Sequence, residues 1–481
     1  MITINNSFKN NILYTSSIFL PSLFGLFITP FFAHILSKAD VGLLYILTTQ
    51  TQALAVFALL GMDTFYIRSS FENISKERET KLISILLLAS LFIFALILAV
   101  VFFNIEFLAQ IYGISNESNI LIYSSFFLIP FESLLGFFLA VLRVKKKYKL
   151  LLCSECMRLS IYVLVLYILM YQQDMGILGR NIAAFLSLSP LLFFPIYWLI
   201  KNKKILVDRV LTIRVMAFSK YWIPSTFILT FMPLFDRAFI LFFINKEAVA
   251  SFSIAFSLAG VCRLLGLGLT RYCEPLIFSQ DPREPLTALM SELESSFVRV
   301  IAYATSLAII AVPLIYSLVM PAEYQNDLLL CSLIMIAAIS TFLSQFSSSR
   351  ITALYDSKTL FLIHTFSLVL KFSIAIPLII KYEVVGFAMA CMLEGLIYFV
   401  GYKYFDPQKN HTKHLSVLFE ISIIIMSGIY LQSVINEFIL AKNINWLMIL
   451  FLIGFMFFAS HKILKSIIYL LNVSQEKIIT S

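Results

Sequence analysis

The chain has 481 residues, of which 60% are hydrophobic and only 13% are charged, and its mean hydropathy is +0.92. Soluble globular domains carry about a quarter charged residues, so this composition excludes that class and indicates a polytopic membrane protein. The formal net charge is +9. The basic residues are distributed over many short loops, whereas a nucleic-acid-binding protein would group them on one soluble domain.

Clusters of charged and turn-forming residues divide the chain into fourteen candidate membrane spans, since a span needs about 20 mainly apolar residues. Their approximate bounds are 12–35, 41–67, 82–103, 119–142, 150–171, 177–200, 220–244, 248–270, 297–320, 328–349, 359–380, 384–402, 415–435 and 446–464. Helices are expected because an isolated strand would leave backbone groups unpaired in lipid. The predicted fold is therefore all-α, with 12 to 14 transmembrane helices.

The distribution of Lys and Arg between alternate loops predicts the orientation of these spans. With the N-terminus inside, the inner segments contain basic clusters such as 143–149 and 201–220. The outer loops contain Lys38, Lys246, Lys381 and Lys442 out of 36 basic residues. The positive-inside rule then predicts that both termini are cytoplasmic.

The outer loops are too short to form a catalytic domain, and the longest runs from about 104 to 118. Membrane-embedded polymerases and glycosyltransferases generally carry a larger external loop with catalytic residues. We therefore expect a protein that is not an enzyme, with no catalytic residues, no cofactor and no metal site. A polysaccharide polymerase is kept as a less favoured alternative.

An internal repeat relates the turn after the first span to the turn after the seventh. Residues 36–46 align with residues 244–254, with Lys38, Val41 and Ile46 matching Lys246, Val249 and Ile254. Six helices per copy would make the repeats parallel, as in transporters with a site between two lobes. The predicted organisation is an N-terminal six-helix lobe (1–205), a C-terminal six-helix lobe (206–410), and an extra helix pair with a cytoplasmic tail (411–481).

Four segments resemble one family of exporters. They are Phe31-Phe-Ala-His-Ile-Leu-Ser-Lys-Ala-Asp-Val-Gly-Leu-Leu-Tyr45 with Leu60-Gly-Met-Asp-Thr-Phe-Tyr-Ile-Arg68, Phe235-Asp-Arg-Ala-Phe-Ile240, and Glu274-Pro-Leu-Ile-Phe278. This pattern resembles the polysaccharide exporters of the multidrug/oligosaccharidyl-lipid/polysaccharide (MOP) superfamily, with the Wzx-type O-antigen flippases as the nearest branch. Such proteins are often drawn with twelve spans, so fourteen would make the last pair an appendage.

The resemblance implies a flippase that moves an undecaprenyl-diphosphate-linked oligosaccharide, such as an O-antigen repeat unit, across the bacterial cytoplasmic (inner) membrane by alternating access. It also implies membrane lipids as surroundings, H⁺ or Na⁺ as a coupling ion, a polysaccharide polymerase and chain-length proteins as partners, and a role in lipopolysaccharide biosynthesis. No nucleic-acid partner is expected. A cation-coupled multidrug exporter of the same superfamily is the main alternative.

Basic residues inside the spans are the candidate contacts for an anionic diphosphate headgroup. A charge inside a membrane normally faces the protein interior or a watery cavity, and the planar Arg guanidinium binds phosphate oxygens bidentately. The candidates are Arg237, Arg263, Lys371 and Arg180. The competing interpretation is that each cation is neutralised by a buried carboxylate and only fixes helix packing.

Two further sets of polar residues lie within the spans. Gln50 and Gln52 belong to the polar run Thr48 to Gln52, and they are candidate glycan contacts or interhelical bonding partners. Asp236, Glu132 and Glu394 are candidate sites for a coupling H⁺ or Na⁺, because desolvation favours proton binding to a carboxylate. Structural ion pairs are the alternative for each of the three.

Overall fold

The computed structural model describes residues 2–59, 66, 76–114, 119–202, 209–278, 288–343, 345–353, 357–405, 429 and 432. Within these ranges the regular structure is helical, and no strand is present. The chain packs as two compact units, Met1–Phe242 and Phe243–Ser481. The predicted all-α membrane fold is therefore confirmed, while the predicted lobe boundary near residue 205 remains a prediction.

The first unit is built mainly from long apolar helices joined by short connections. They are α1 (Ile2–Ile35), α2 (Lys38–Ala58), α3 (Lys76–Phe103), α4 (Ile105–Tyr112), α5 (Ile120–Phe127), α6 (Ile129–Val144), α7 (Tyr148–Leu166), α8 (Gly176–Asn202) and α9 (Arg209–Phe243). A π-helical turn, Tyr167–Gln172, extends α7. Two non-helical connections have left-handed residues, namely Lys146 between α6 and α7 and Asp174 before α8.

The second unit has the same character. It contains α10 (Lys246–Phe278), α11 (Ala288–Val319), a 3₁₀ turn (Ala322–Asp327), α12 (Leu328–Leu343), α13 (Gln345–Ala353) and α14 (Ser357–Phe405). The 49 residues assigned to α14 are two helices, because the backbone of Glu383 is not helical, with φ 50° and ψ −133°. The sequence predicts separate spans on either side of this residue, and the break lies between them.

Seven stretches within the described residues are long and apolar enough to cross a membrane. They are Lys38–Ala58, Thr80–Phe103, Ile120–Val144, Tyr148–Gln172, Glu294–Val319, Ala322–Thr341 and Lys358–Phe405. Large apolar side chains on these helices point outward, and Phe103 is 81% exposed. A soluble protein would not expose so much apolar surface, so these faces are suited to lipid. The count of fourteen is not established, and the last two predicted spans lie almost wholly outside the described residues.

The turns at the repeated segments have the same capping structure. The Ser37 hydroxyl accepts a hydrogen bond from the Asp40 backbone N–H at 3.2 Å, at the start of α2. The Asn245 side-chain oxygen accepts one from the Ala248 N–H at 2.8 Å, at the start of α10. Both are N-caps, which satisfy backbone donors that a helix start leaves free. Ser37 and Asn245 are aligned residues of the repeat, so the two copies share this local structure.

One predicted loop is partly helical. The sequence predicts an outer loop over 104–118, whereas the structure forms α4 within it. Gly113, with φ 54°, ends α4 in the left-handed conformation that glycine adopts readily. Eight residues are too few to cross a membrane, so α4 lies outside the count of spans.

Candidate functional site

In the first unit, polar side chains of α2, α5 and α8 form one hydrogen-bonded group. Asn181, which is 2% exposed, donates from Nδ2 to the hydroxyls of Ser124 at 2.9 Å and Ser125 at 2.8 Å. The Thr51 hydroxyl donates to the Ser125 carbonyl at 3.0 Å. These bonds tie three helices together within a largely apolar unit.

Arg180 lies at the edge of this group and is half-buried. Its Nη1 atom donates to the Asn181 Oδ1 atom at 3.1 Å. No carboxylate of the described residues lies within ion-pair distance of Arg180, and four of its five N–H donors have no hydrogen bond there. An uncompensated cation inside a membrane protein is costly, so this guanidinium is suited to an anionic ligand.

Gln50 makes a separate polar contact on α2. Its Oε1 atom accepts a short hydrogen bond, 2.5 Å, from the Tyr112 hydroxyl of α4. Burial raises the pKa of Tyr112 to about 12, so the hydroxyl keeps its proton and serves as a donor at neutral pH. Gln52, two residues along α2, is exposed. The structure thus separates the two predicted glycan contacts, since only Gln50 has an interhelical partner among the described residues.

The adjacent pair Asp236 and Arg237 is buried within α9, each residue being 4% exposed. Arg237 donates from Nη1 to the Pro233 carbonyl of the same helix at 2.8 Å. Its guanidinium therefore satisfies a backbone acceptor one turn away. Glu132, the remaining predicted ion-coupling residue of this unit, is half-buried in the first turn of α6 and forms no ion pair within the described residues.

In the second unit, two of the predicted residues pair with each other. The Lys371 Nζ atom lies 2.7 Å from the Glu394 Oε2 atom, across the two halves of α14. Lys371 is 1% exposed, and its ammonium group also lies 5.4 Å from the centre of the Phe387 ring. A buried pair of this kind is net neutral, which is the structural alternative that the sequence left open.

Arg263 has a different environment on α10. Its guanidinium lies over the Phe256 ring, with Cζ 4.6 Å from the ring centre, and the residue is half-buried. The structure therefore places Arg180 and Arg237 in the first unit, and Arg263 and Lys371 in the second. Of the predicted site residues, Lys371 and Glu394 are in direct contact with each other.

Several polar residues of these clusters were not predicted from the sequence. Tyr112 was assigned to a loop, and Asn181 is next to a candidate in sequence but was not selected. Glu294, which is 1% exposed, binds Arg350 at 3.3 Å and Lys403 at 2.7 Å. Glu294 precedes the predicted ninth span and Arg350 follows the tenth, so no helical periodicity could relate them.

Known structures share this fold. The structure of the lipid II flippase MurJ in an inward-closed conformation has 14% sequence identity and a TM-score of 0.63, over 96% of this chain and 98% of that chain. An inward-facing multidrug resistance MATE transporter of the MOP superfamily has 16% identity and a TM-score of 0.59, over 86% and 95%. The MATE multidrug transporter DinF-BH has 13% identity and a TM-score of 0.59, over 82% and 92%. At such low identities the likeness establishes a common fold.

Sequence comparison gives the family. No curated protein matches the chain significantly. The family model described as polysaccharide biosynthesis protein matches residues 7–265, which is more than half of the chain. The resemblance indicated by the motifs around α2 and α9 is thereby confirmed at the level of family and fold. The chain is a multi-pass membrane protein that belongs to the polysaccharide biosynthesis protein family.

Proposed function

We propose that the protein is a flippase that translocates an undecaprenyl-diphosphate-linked oligosaccharide, an O-antigen or related repeat unit, across the bacterial cytoplasmic membrane. The family supports a role in polysaccharide biosynthesis, and the fold is shared with a lipid II flippase. In this function the diphosphate-sugar headgroup crosses the membrane by alternating access. The polyprenyl tail remains in lipid, since transferring its apolar surface into water would be unfavourable.

The observation that carries the proposal is the cation Arg180, which is held by the buried amide of Asn181 and has no carboxylate partner among the described residues. A diphosphate offers several oxygens to a guanidinium, and charge-assisted bonds of this type are strong in a low-dielectric site. The neighbouring hydroxyl and amide groups match the donors and acceptors of a sugar. Arg237, Arg263 and Lys371 remain proposed headgroup contacts, and Gln50 and Gln52 remain proposed glycan contacts.

The proposal includes cytoplasmic termini, in accord with the basic inner loops of the sequence. In this proposal the protein acts after the enzymes that assemble the lipid-linked repeat unit. It acts before a polysaccharide polymerase with its chain-length proteins. Membrane lipids surround it on the apolar faces described above. The translocation needs no covalent chemistry and therefore no cofactor.

A cation-coupled multidrug exporter is the second candidate, because the fold is also shared with MATE multidrug transporters. A gene deletion distinguishes the two functions. Loss of surface polysaccharide, with the lipid-linked repeat unit accumulating in the inner leaflet, is expected for the flippase. Unchanged polysaccharide together with increased sensitivity to cationic drugs would assign the exporter function instead.

Arg180 provides a test at the level of one side chain. Arg180→Ala should weaken binding of undecaprenyl diphosphate to the full-length protein in nanodiscs by roughly 10- to 100-fold, the range expected for a hydrogen bond to a charged group. Arg180→Lys should retain only part of the wild-type affinity, because an ammonium group cannot bind two phosphate oxygens bidentately. Lys381→Ala, at an exposed basic residue, is the matched control. Equal affinities for Arg180→Ala and Lys381→Ala would assign Arg180 to interfacial anchoring.

A further inference from the structure

A groove on the second unit runs between the two halves of α14. Its volume is about 670 Å³, and its walls are formed by residues within Leu362–Ile374 on the first half and Leu393–Phe405 on the second. At 1.5 Å rise per residue, each wall is about 18 Å long. The predicted orientation puts Lys381 outside, so the opposite end of the hairpin formed by the two halves is cytoplasmic. The groove therefore lies in the inner leaflet.

The surface of the groove is apolar. Of the lining residues that the structure describes, Ser367 and Tyr404 carry a polar side-chain group, and Ser367 is buried beneath the surface. The walls expose large apolar side chains, since Phe366 is 63% and Val400 is 64% exposed. Water is an unfavourable occupant of such a surface, whereas a hydrocarbon chain suits it.

The length of the groove matches one leaflet of a bilayer. Half of a hydrocarbon core about 30 Å thick is about 15 Å. Between Ile374 and Leu393 no described residue lines the groove, and near the turn a Cβ at Gly386 would overlap the Leu378 carbonyl oxygen. The two halves are thus in close contact toward the outer side. A path for a tail that changes leaflet would continue there, whereas a phospholipid acyl chain needs one leaflet.

A basic residue lies at the cytoplasmic end of the groove. Lys358, Leu362 and Phe366 are four residues apart, so they fall on one face of the first half of α14. Lys358 is exposed, and it has no ion-pair partner in the part of the chain that the structure describes. Helix side chains tilt toward the N-terminus, which places the Lys358 ammonium beyond Leu362, toward the level of the lipid headgroups.

Two other basic residues near this end are already paired. Lys403 lies 2.7 Å and Arg350 lies 3.3 Å from the Glu294 carboxylate. Tyr404 and Phe405 expose their rings at the same end, a position typical of aromatic anchors at a membrane interface. Among the described residues, Lys358 therefore supplies the positive charge at the mouth of the groove, and the cytoplasmic leaflet supplies anionic headgroups.

We propose that this groove binds an anionic phospholipid of the cytoplasmic leaflet, with an acyl chain between the two halves of α14 and the headgroup phosphate on Lys358. The site is separate from the proposed headgroup contact Lys371, which is buried and does not line the groove. It also does not depend on what the protein transports. A lipid that binds only the folded hairpin stabilises it.

Native mass spectrometry of the full-length protein in detergent, with phosphatidylglycerol or phosphatidylethanolamine added, measures this binding. The wild type should retain phosphatidylglycerol in preference. Lys358→Gln should lower the affinity for phosphatidylglycerol roughly fivefold, the effect of one basic residue at an anionic surface, and leave phosphatidylethanolamine binding unchanged. Lys381→Gln is the matched control, because it removes an exposed Lys from the other end of the same hairpin. Equal phosphatidylglycerol affinities for the two variants would overturn the proposal.

Val400→Trp tests the acyl-chain part of the site. The indole ring should fill the groove and lower the retention of both phospholipids severalfold. Val369→Trp is the control, because Val369 is 59% exposed on the same hairpin but does not line the groove. Leu362→Trp places the same ring on the opposite wall and should repeat the effect, so the test does not depend on how one variant folds. Retention of phospholipid by both groove variants at the level of Val369→Trp would contradict the proposal.

The same measurement distinguishes two other occupants. If undecaprenyl phosphate displaces phosphatidylglycerol from the wild type but binds Val400→Trp weakly, the groove holds the tail of the proposed substrate. If the wild type is a dimer that Val400→Trp dissociates, the groove is covered by a second copy of the chain. Either result would overturn the phospholipid site.

Discussion

The ionisable side chains inside the two units differ in how their charge is compensated. Lys371 and Glu394 neutralise each other, whereas Arg180 has an amide and no carboxylate within the described residues. Removing one partner of a buried pair typically costs about 3–5 kcal/mol because the other charge stays buried. Loss of either partner would therefore destabilise the second unit locally, and Arg180 is the better candidate for a ligand contact.

Tyr112 offers a test of the polar contact in the first unit. Tyr112→Phe removes the hydrogen bond to Gln50 and leaves a half-buried carbonyl oxygen without its donor, so we expect a loss of about 1–3 kcal/mol in the free energy of unfolding. Burial raises the pKa of Tyr112 to about 12 from an ordinary value of 10.0. The protonated hydroxyl therefore stabilises the folded state fully below the ordinary pKa, and this contribution is lost as the pH rises through the raised pKa.

Thermal unfolding of the wild type and Tyr112→Phe in detergent, from about pH 8 to about pH 12, measures both effects. The difference in unfolding free energy between the wild type and Tyr112→Phe should be constant below about pH 10. It should shrink toward about pH 12. Tyr171→Phe, which removes an exposed hydroxyl, is the control and should match the wild type near neutral pH. A Tyr112→Phe protein as stable as Tyr171→Phe would show that the contact with Gln50 contributes nothing.

At the scale of elements, the hairpin formed by α14 determines which residues meet. The chain reverses at Glu383, so Lys371 faces Glu394 and His364 faces Tyr402. The sequence predicts the two spans and the turn between them, because apolar runs and a charged interruption are local features. It could not predict the pairing of Lys371 with Glu394, since that depends on the register of one helix against the other.

Gly395 tests the packing of this hairpin against α12. A Cβ at Gly395 would overlap the Cβ of Ser340 and would lie 3.2 Å from the Ala337 carbonyl oxygen. Alanine gains up to about 1 kcal/mol over glycine from helix propensity, but overpacking a core costs about 1–3 kcal/mol. We therefore expect Gly395→Ala to lower the unfolding temperature in detergent.

The control for this substitution lies in the same unit. A Cβ at Gly260 has no heavy atom within 4 Å beyond its own helix and neighbours. Gly260→Ala should therefore gain the helix-propensity term without the steric cost, and it should unfold at the wild-type temperature or slightly above. Equal shifts for the two variants would mean that α12 and α14 can separate without loss of stability.

At the scale of the whole molecule, composition and motif pattern were sufficient to predict the all-α membrane class and the family. Both are averages over many residues, so errors at single positions matter little. The aligned repeat also relates Ser37 to Asn245, but their shared role as N-caps is known only from the structure. Individual polar clusters such as Glu294 with Arg350 and Lys403 could not be predicted, because they join residues from separate helices through tertiary packing.

Membrane orientation is the prediction that links all of these parts. The loop between α6 and α7 contains Lys145, Lys146 and Lys147, while the loop between the π-helical turn and α8 contains Asp174 and no basic residue. Retention of Lys and Arg on the cytoplasmic side predicts that the first loop is inside and the second outside. Chains truncated at Lys146 or at Asp174 are fused to alkaline phosphatase, which is active only outside, or to a green fluorescent protein, which fluoresces only inside. The two truncation sites should report opposite sides of the membrane. Phosphatase activity at Lys146 would reverse the predicted orientation of the chain.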